Sequence, residues 1–200
     1  MAKRDNHYEA AFEGYLQAQR IPYVAVDEAR RSALGDASLK NLDFLVSPPQ
    51  SERTWLVDVK GRRFPAGRQK QYWKNWSTQD DLRSMASWEQ LFGSGFGALF
   101  VFAYHLTADV APVSAEQVFP FRGRLYAFVG IRLDLYASWA RPISVRWQTM
   151  AMPTARFREL AQPWQEFLKA KPKPAPRYEN CETPAFSLEI DDEPHLSSEF

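Results

Sequence analysis

The feature that most restricts the fold is an uninterrupted apolar run of seven residues, 98–104, with the sequence Ala-Leu-Phe-Val-Phe-Ala-Tyr. A run of this length without polar alternation predicts a strand whose two faces are both buried. Helices must then cover both sides of its sheet. Two stretches before this run, from Tyr8 to Leu16 and from Leu82 to Phe92, have apolar residues at helical spacing. The sequence therefore predicts an α/β domain.

The first half of the chain predicts one helix and a group of strands. Asp5 or Asn6 can cap the helix, which should end near Arg20. The polar stretch 28–41 predicts a loop or an irregular excursion. Three strands are expected to form an antiparallel meander: residues 22–27, 42–46 and 54–60.

The second half gives weaker signals. A helix is predicted from Thr78 or Gln79 to about Phe92, and a further strand over residues 124–135. A last helix over residues 154–168 should be capped by Thr154 and kinked or broken at Pro163. For residues 106–168 the sequence leaves three roles open, namely a specificity element, a dimer surface and plain packing.

Length and charge suggest one basic domain followed by an acidic tail. We expect a domain over residues 1–169, with 22 bases, 17 acids and a net charge of +5. Residues 170–200 are rich in proline and then in acid, and are expected to be a flexible tail. The chain shows no apolar signal region or membrane-length apolar stretch, and Cys181 is its only cysteine, so a reducing, cytoplasmic setting with no membrane partner is predicted.

Three acidic positions and one lysine are candidates for chemistry. Asp58 and Lys60 are two residues apart on a predicted strand, so both side chains point to one face. Asp43 stands in the neighbouring strand, where a buried charge needs a partner or a metal ion. Glu9 and Glu13, one helical turn apart, could supply a third carboxylate.

A helix with Glu, a strand, a strand with Asp, a strand with Asp-x-Lys and then a helix with further strands resembles the PD-(D/E)XK nuclease superfamily. The resemblance covers about residues 5–105, and Leu42 stands where the family name has proline. It implies a restriction-endonuclease-like core with a mixed central sheet flanked by helices.

The resemblance also implies the roles of the site residues. Asp43 and Asp58 would bind Mg²⁺ (or Mn²⁺) together with the backbone carbonyl of Val59, and Lys60 would position or activate the attacking water. A helical glutamate would complete the site, and the spacing before the helix end resembles that of resolvase-type members for Glu9 more than for Glu13.

A basic and aromatic segment follows Lys60 and is a candidate nucleic-acid contact. Bases can hold phosphates there while aromatic rings stack on unpaired bases. The alternative is a solvated loop pinned to the core by its aromatic residues. The candidate contacts are Arg62, Arg63, Arg68, Lys70, Gln71, Trp73 and Lys74.

The predicted function is Mg²⁺-dependent endo- or exonuclease activity on nucleic acid, with DNA favoured over RNA. The alternative is a catalytically inactive protein of this fold that acts as a nucleic-acid-binding or scaffold module. An enzyme that uses the same carboxylates on a small molecule is less favoured, because the segment after Lys60 is basic and aromatic. Many nucleases of this kind are dimers, but the sequence identifies no interface for a homodimer.

Overall fold

The computed structural model describes residues 6–27, 31–34, 37–51, 53–66 and 73–169. Its helices are α1 (His7–Ala18), α2 (Gln79–Phe92), α3 (Leu133–Trp139) and α4 (Thr154–Leu160). Its strands are β1 (Tyr23–Ala25), β2 (Arg31–Leu34), β3 (Ala37–Lys40), β4 (Phe44–Val46), β5 (Thr54–Phe64), β6 (Ser77–Thr78), β7 (Phe96–Leu106), β8 (Phe119–Phe121), β9 (Arg124–Arg132), β10 (Arg141–Ser144), β11 (Thr149–Ala151) and β12 (Gln162–Pro163).

The central sheet is mixed and has the order β1-β4-β5-β7-β9-β12, with β8 paired to β9. Its two long middle strands, β5 and β7, are parallel from Thr54 opposite Phe96 to Phe64 opposite Leu106. The other pairings in this sheet are antiparallel. Residues 97–104 of β7 are all buried, which confirms the central strand that the apolar run predicted.

Helices cover both faces of this sheet, as an α/β fold requires. Phe12 and Leu16 of α1 pack with Val57 and Val59 of β5 on one face. On the other face, Met85 of α2, Tyr136 of α3 and Phe157 of α4 join a cluster with Phe100 and Phe102 of β7. The predicted mixed sheet flanked by helices is thus observed.

The loop predicted for residues 28–41 is wrong in part, because β2 and β3 pair there as an antiparallel hairpin. The hairpin lies between β1 and β4 along the chain and forms a separate two-stranded sheet. The predicted antiparallel meander of β1, β4 and β5 is observed. Two bonds tie its end to α2: the Lys40 N–H donates to Ser84 Oγ, and the Trp88 indole donates to the Lys40 carbonyl. These long-range contacts leave no periodic signal in the polar sequence.

The predicted last helix is also shorter than expected. It ends at Leu160, β12 then pairs with β9 at Pro163, and a 3₁₀ turn covers Trp164–Leu168. The predicted break at Pro163 is therefore observed as a change of element. The N-cap is Pro153 in place of Thr154. At the first helix, by contrast, Asn6 is the cap and accepts from the Tyr8 N–H.

The region between α3 and α4 forms structure that the sequence did not predict. β10 and β11 make an antiparallel hairpin, and β11 pairs with β6 at the start of α2. No helix among the described residues is long and apolar enough to cross a membrane. The predicted tail, residues 170–200, lies outside the described residues, so the domain boundary at residue 169 stays a prediction.

Candidate active site

The carboxylate of Asp43 is bonded to the backbone that carries Asp58. The Asp43 N–H donates to the Val57 carbonyl at 2.9 Å, and Asp43 Oδ2 accepts from the Val59 N–H at 2.6 Å. The β4–β5 register ends at Phe44 opposite Val57, so the carboxylate continues the ladder where the backbone pairing stops. Asp43 is only 3% exposed, and this bond compensates part of the cost of burying it.

Lys60 links two carboxylates on the α2 face of the sheet. Its Nζ lies 2.8 Å from Asp58 Oδ2 and 3.1 Å from Asp81 Oδ2. Asp81 also forms an ion pair with Lys40, whose Nζ lies 2.9 Å from Asp81 Oδ1. The two-residue spacing thus places Asp58 and Lys60 on one face, as the pleat of a strand predicts. The four side chains form a row of alternating charge.

Asp81 is a member of this row that sequence reasoning missed. It is the third residue of α2, where its Oδ2 accepts from the Thr78 N–H while Thr78 Oγ1 accepts from the Asp81 N–H. The Ser77 hydroxyl also donates to Oδ2. A Thr-x-x-Asp pattern before a helix predicts this capping box. The sequence offers no signal for the pairing with Lys60, which is brought close only by the packing of α2 on β5.

Burial and charge separate the protonation behaviour of the three central groups. Burial raises the pKa of Asp58, although Lys60 opposes this shift. Burial also disfavours charge on Lys60, but Asp58 and Asp81 outweigh it and raise its pKa. For Asp81, Lys60 and the bonds from Lys40 and Thr78 outweigh burial and hold the pKa well below its usual range. Lys60 therefore stays an ammonium, and Asp58 is the more readily protonated aspartate.

The two helical glutamates occupy different environments. Glu9 is buried in the first turn of α1 and accepts a hydrogen bond from the Asn6 amide. This turn packs on the face of β5 that carries Val57 and Val59, because a Cβ built on Gly61 would meet the Tyr8 ring at 2.2 Å. Lys60 points to the opposite, α2 face. Glu13, one turn later, accepts from the Tyr23 hydroxyl at 3.0 Å, at the edge strand β1.

The oxygen donors around Asp58 match the ligands that Mg²⁺ takes in proteins. Mg²⁺ is usually held by one or two carboxylates and several waters. Asp43 and Asp58 supply two carboxylates attached to adjacent backbone, and the Val59 carbonyl belongs to the same segment. Within the described residues, however, no three His, Cys, Asp or Glu side chains are arranged to hold a metal ion together. Lys60, at 2.8 Å from Asp58, is the cation paired with that carboxylate.

The basic and aromatic segment after Lys60 is only partly described. Arg63 and Lys74 are exposed, and Trp73 is half-buried against Phe64 and Tyr104. Three predicted contacts, Arg68, Lys70 and Gln71, lie outside the described residues.

Arg62 is buried, and its guanidinium makes several contacts within the protein. It lies 3.7 Å from the centre of the Trp76 ring and donates to the carbonyls of Gly61 and Trp76. Burial lowers the pKa of Arg62 to about 10. Its position on the same face as Lys60 connects the site to Trp76.

Two histidines that lie far apart in sequence meet at the far end of β5 and β7. His7 Nδ1 lies 2.7 Å from the Tyr126 hydroxyl, and the His7 and His105 rings are 5.8 Å apart. Burial and the nearby Arg124 lower the pKa of both histidines. The positions of these two histidines in the sequence give no reason to expect them to meet.

Comparison with known proteins gives a fold-level likeness. No protein-family model and no curated protein sequence matches the chain. Among solved structures, it is similar to Hjc, a Holliday junction resolvase from the archaeal hyperthermophile Archaeoglobus fulgidus. The two chains are 10% identical with a TM-score of 0.47, over 81% of this chain and 98% of the resolvase. At this distance, no residue role carries over from the resolvase.

Proposed function

We propose that this protein is a divalent-metal-dependent nuclease of the PD-(D/E)XK kind that hydrolyses phosphodiester bonds, with DNA favoured over RNA. The observation that carries the proposal is the bond from the Val59 N–H to Asp43, which fixes a second carboxylate beside Asp58. Lys60 follows two residues later on the same face and is ion-paired to Asp58. Two acids and one amine at β4 and β5 are groups of the kinds that metal-assisted phosphodiester hydrolysis uses.

Asp43, Asp58 and the Val59 carbonyl would hold the metal ion, and Glu9 is the preferred helical acid because it is buried in the turn of α1 that packs on β5 at Gly61. Glu13 is less favoured because it lies one turn further along α1, where it bonds to Tyr23 of the edge strand β1. When bound, Mg²⁺ or Mn²⁺ supplies Lewis-acid stabilisation of phosphate charge and lowers the pKa of a coordinated water.

Lys60 would orient the attacking water and stabilise negative charge on the phosphate oxygens. Its raised pKa keeps it an ammonium, which can donate to an oxygen but does not act as a general base at neutral pH. Asp81 is a positioning residue, because its carboxylate holds the Lys60 Nζ at 3.1 Å from the α2 side. One preorganised hydrogen-bond donor to a developing oxyanion, the role assigned to the Lys60 ammonium, contributes roughly 2.7–4 kcal/mol to a transition state in comparable sites.

The pairing of Lys60 with two carboxylates also favours a second candidate. In a catalytically inactive protein of this fold, Asp58, Lys60 and Asp81 would form a structural ion-pair network that requires no metal. Such a protein would bind or scaffold nucleic acid without cutting it.

Cleavage assays separate the two candidates. Supercoiled plasmid, single-stranded DNA and RNA are incubated with the protein and Mg²⁺ or Mn²⁺, with chelator in a parallel reaction. We expect cleavage with metal ion, no cleavage with chelator, and a loss of at least about 100-fold in Asp58→Asn and in Lys60→Met. Asp134→Asn is the matched control, since it makes the same change at an exposed carboxylate of α3.

Cleavage that persists undiminished in both Asp58→Asn and Lys60→Met would remove the assignment. Retention of nucleic acid by the wild-type protein without metal-dependent cleavage would select the inactive module instead.

A further inference from the structure

A cavity lies between the segment that precedes α2 and the β10–β11 hairpin. It has a volume of about 390 Å³, in the range of roughly 300–1,000 Å³ typical of small-ligand sites. Trp73, Trp76 and Met152 line it together with Ile143 of β10, while Lys74 and Thr154 add polar groups. We call it the Trp cavity.

The hairpin beside the cavity exposes apolar residues that a folded protein normally buries. Val145 is 89% exposed and Trp147 is 68% exposed, and Ile143 on β10 is exposed as well. Arg146 lies between the first two, with its guanidinium 5.1 Å from the centre of the Trp147 ring. The exposed Trp147 ring can stack on a nucleic-acid base, and the arginine beside it can contact the neighbouring phosphate.

Each of the tryptophans around this region is paired with an arginine. Arg62 lies 3.7 Å from the Trp76 ring centre, Arg156 lies 4.6 Å from that of Trp139, and Arg158 lies 5.9 Å from that of Trp73. Between Asp134 and Glu159 the sequence holds four arginines and no acid. The surface is therefore complementary in charge to a polyanion, and it offers π-faces for flat rings.

The cavity is connected directly to the candidate active site. Trp76 stacks on Arg62, which shares the α2 face of β5 with Lys60. β11 pairs with β6, and β6 leads into α2, where Asp81 contacts Lys60. Arg62, β6 and α2 thus join the elements that carry Lys60 and Asp81 to the lining of the cavity.

We propose that the Trp cavity and the Trp147 tip bind unpaired nucleotides of the substrate, with one base in the cavity and a neighbouring base on Trp147. Lys74 and Arg146 meet the intervening phosphates. This assignment rests on the proposed function, and it defines the substrate class as single-stranded or locally unpaired nucleic acid. A base that remains in a duplex cannot enter the cavity, since its faces are covered by its stacked neighbours.

The test measures binding to a fluorescent 20-nucleotide oligonucleotide, single-stranded or in duplex, with chelator present so that metal-dependent cleavage cannot occur. Trp147→Ala should weaken single-strand binding by about tenfold and duplex binding by less than about twofold, because stacking on one base is lost. Arg146→Ala should weaken single-strand binding, and the slope of its affinity against salt concentration should fall by the equivalent of about one phosphate contact. Leu91→Ala, at an exposed apolar position of α2, should change neither affinity.

A second variant tests the cavity by filling it. Thr154→Trp adds volume at its edge and should also weaken single-strand binding selectively, while its melting temperature shows that it is folded. Equal losses for single strand and duplex in Trp147→Ala and Thr154→Trp, or no loss in either, would overturn the proposal, as would a wild-type protein that binds neither substrate. A change of oligomeric state in Trp147→Ala, seen by sedimentation with unchanged single-strand affinity, would assign the tip to a protein contact instead. If the wild type shows metal-dependent cleavage and Asp58→Asn does not, the proposed function stands in each of these cases.

Discussion

Asp58 and Asp81 both contact Lys60, but their folded-state pKa values shift in opposite directions. Asp58 has a raised pKa because burial outweighs its pairing, whereas pairing and capping bonds outweigh burial for Asp81. By linkage, a carboxyl with a raised pKa lowers stability when it ionises, and one with a lowered pKa increases it. At neutral pH the ionised Asp58 therefore lowers the free energy of unfolding, and the ionised Asp81 raises it.

Asp58→Asn should stabilise the protein at neutral pH while abolishing cleavage. The ionised Asp58 costs stability above its raised pKa, and an amide of the same shape avoids that cost, so we expect a gain of roughly 1 kcal/mol. Chemical denaturation from neutral to acidic pH measures it. The gain should shrink as the pH falls below the raised pKa and vanish below about 3.9, the ordinary value for aspartate. A less stable Asp58→Asn at neutral pH would show that Lys60 needs this partner more than burial penalises it.

Asp81→Asn should have the opposite effect on stability. It leaves Lys60 and Lys40 with one carboxylate fewer and weakens the α2 cap, so we expect a loss of about 3 kcal/mol at neutral pH. This stabilisation is complete above about pH 3.9 and is lost as the pH falls toward the lowered pKa of Asp81. The difference between wild type and variant should thus be constant from neutral pH to about pH 4. Asp134→Asn, at an exposed position, should stay within about 0.5 kcal/mol of wild type.

At the scale of elements, the position of α1 against β5 depends on a close contact at Gly61. A Cβ at this position would lie 2.2 Å from Cδ2 of Tyr8, so the first turn of α1 can approach only a residue without a side chain. Glu9 is the next residue along that turn. The contact therefore links a glycine of the central sheet to the placement of the helical acid.

Gly61→Ala should displace this turn and reduce cleavage more than it reduces stability. Overpacking of this kind costs roughly 1–3 kcal/mol, and the shift of Glu9 acts on the site in addition. The double variant Gly61→Ala/Tyr8→Ala removes the obstructing ring and should recover part of the lost activity, which a cleavage assay and thermal melts of the single and double variants would measure. If the double variant loses as much activity as the sum of the single variants, the two residues are not coupled through this contact.

The sequence predicted those elements whose own residues carry the signal. β7 has its apolar run, and the apolar stripe of α2 predicted a helix from Thr78 or Gln79 to about Phe92. The spacing of Asp58 and Lys60 predicted their common face. The sequence did not predict the β2–β3 hairpin or the β10–β11 hairpin, because their positions depend on pairing with distant segments. The pairing of Asp81 with Lys60 was not predicted for the same reason. The capping role of Asp81 is local, but its bond to Lys60 depends on how α2 packs on β5.

At the scale of the whole molecule, charge is divided unequally along the chain. Residues 1–169 carry a net charge of +5, whereas the complete chain carries only +1, so residues 170–200 contribute a net charge of −4. The excess of bases includes the arginines around the Trp cavity. Acidic residues joined to a basic surface reduce its attraction for phosphates, and salt screens both effects.

Removing residues 170–200 should therefore tighten binding to nucleic acid at low salt. We expect a gain of several-fold below about 50 mM salt, where the Debye length exceeds ~10 Å, and a smaller difference as the salt concentration rises. A full-length variant with the seven acids from Glu179 onward changed to Gln or Asn distinguishes charge from chain length. It should bind as tightly as the truncated protein, with the same dependence on salt, in an anisotropy titration with chelator. Equal affinities of wild type, truncated protein and neutralised variant at low salt would contradict the prediction, and a gain in the truncated protein alone would attribute the effect to the bulk of the tail.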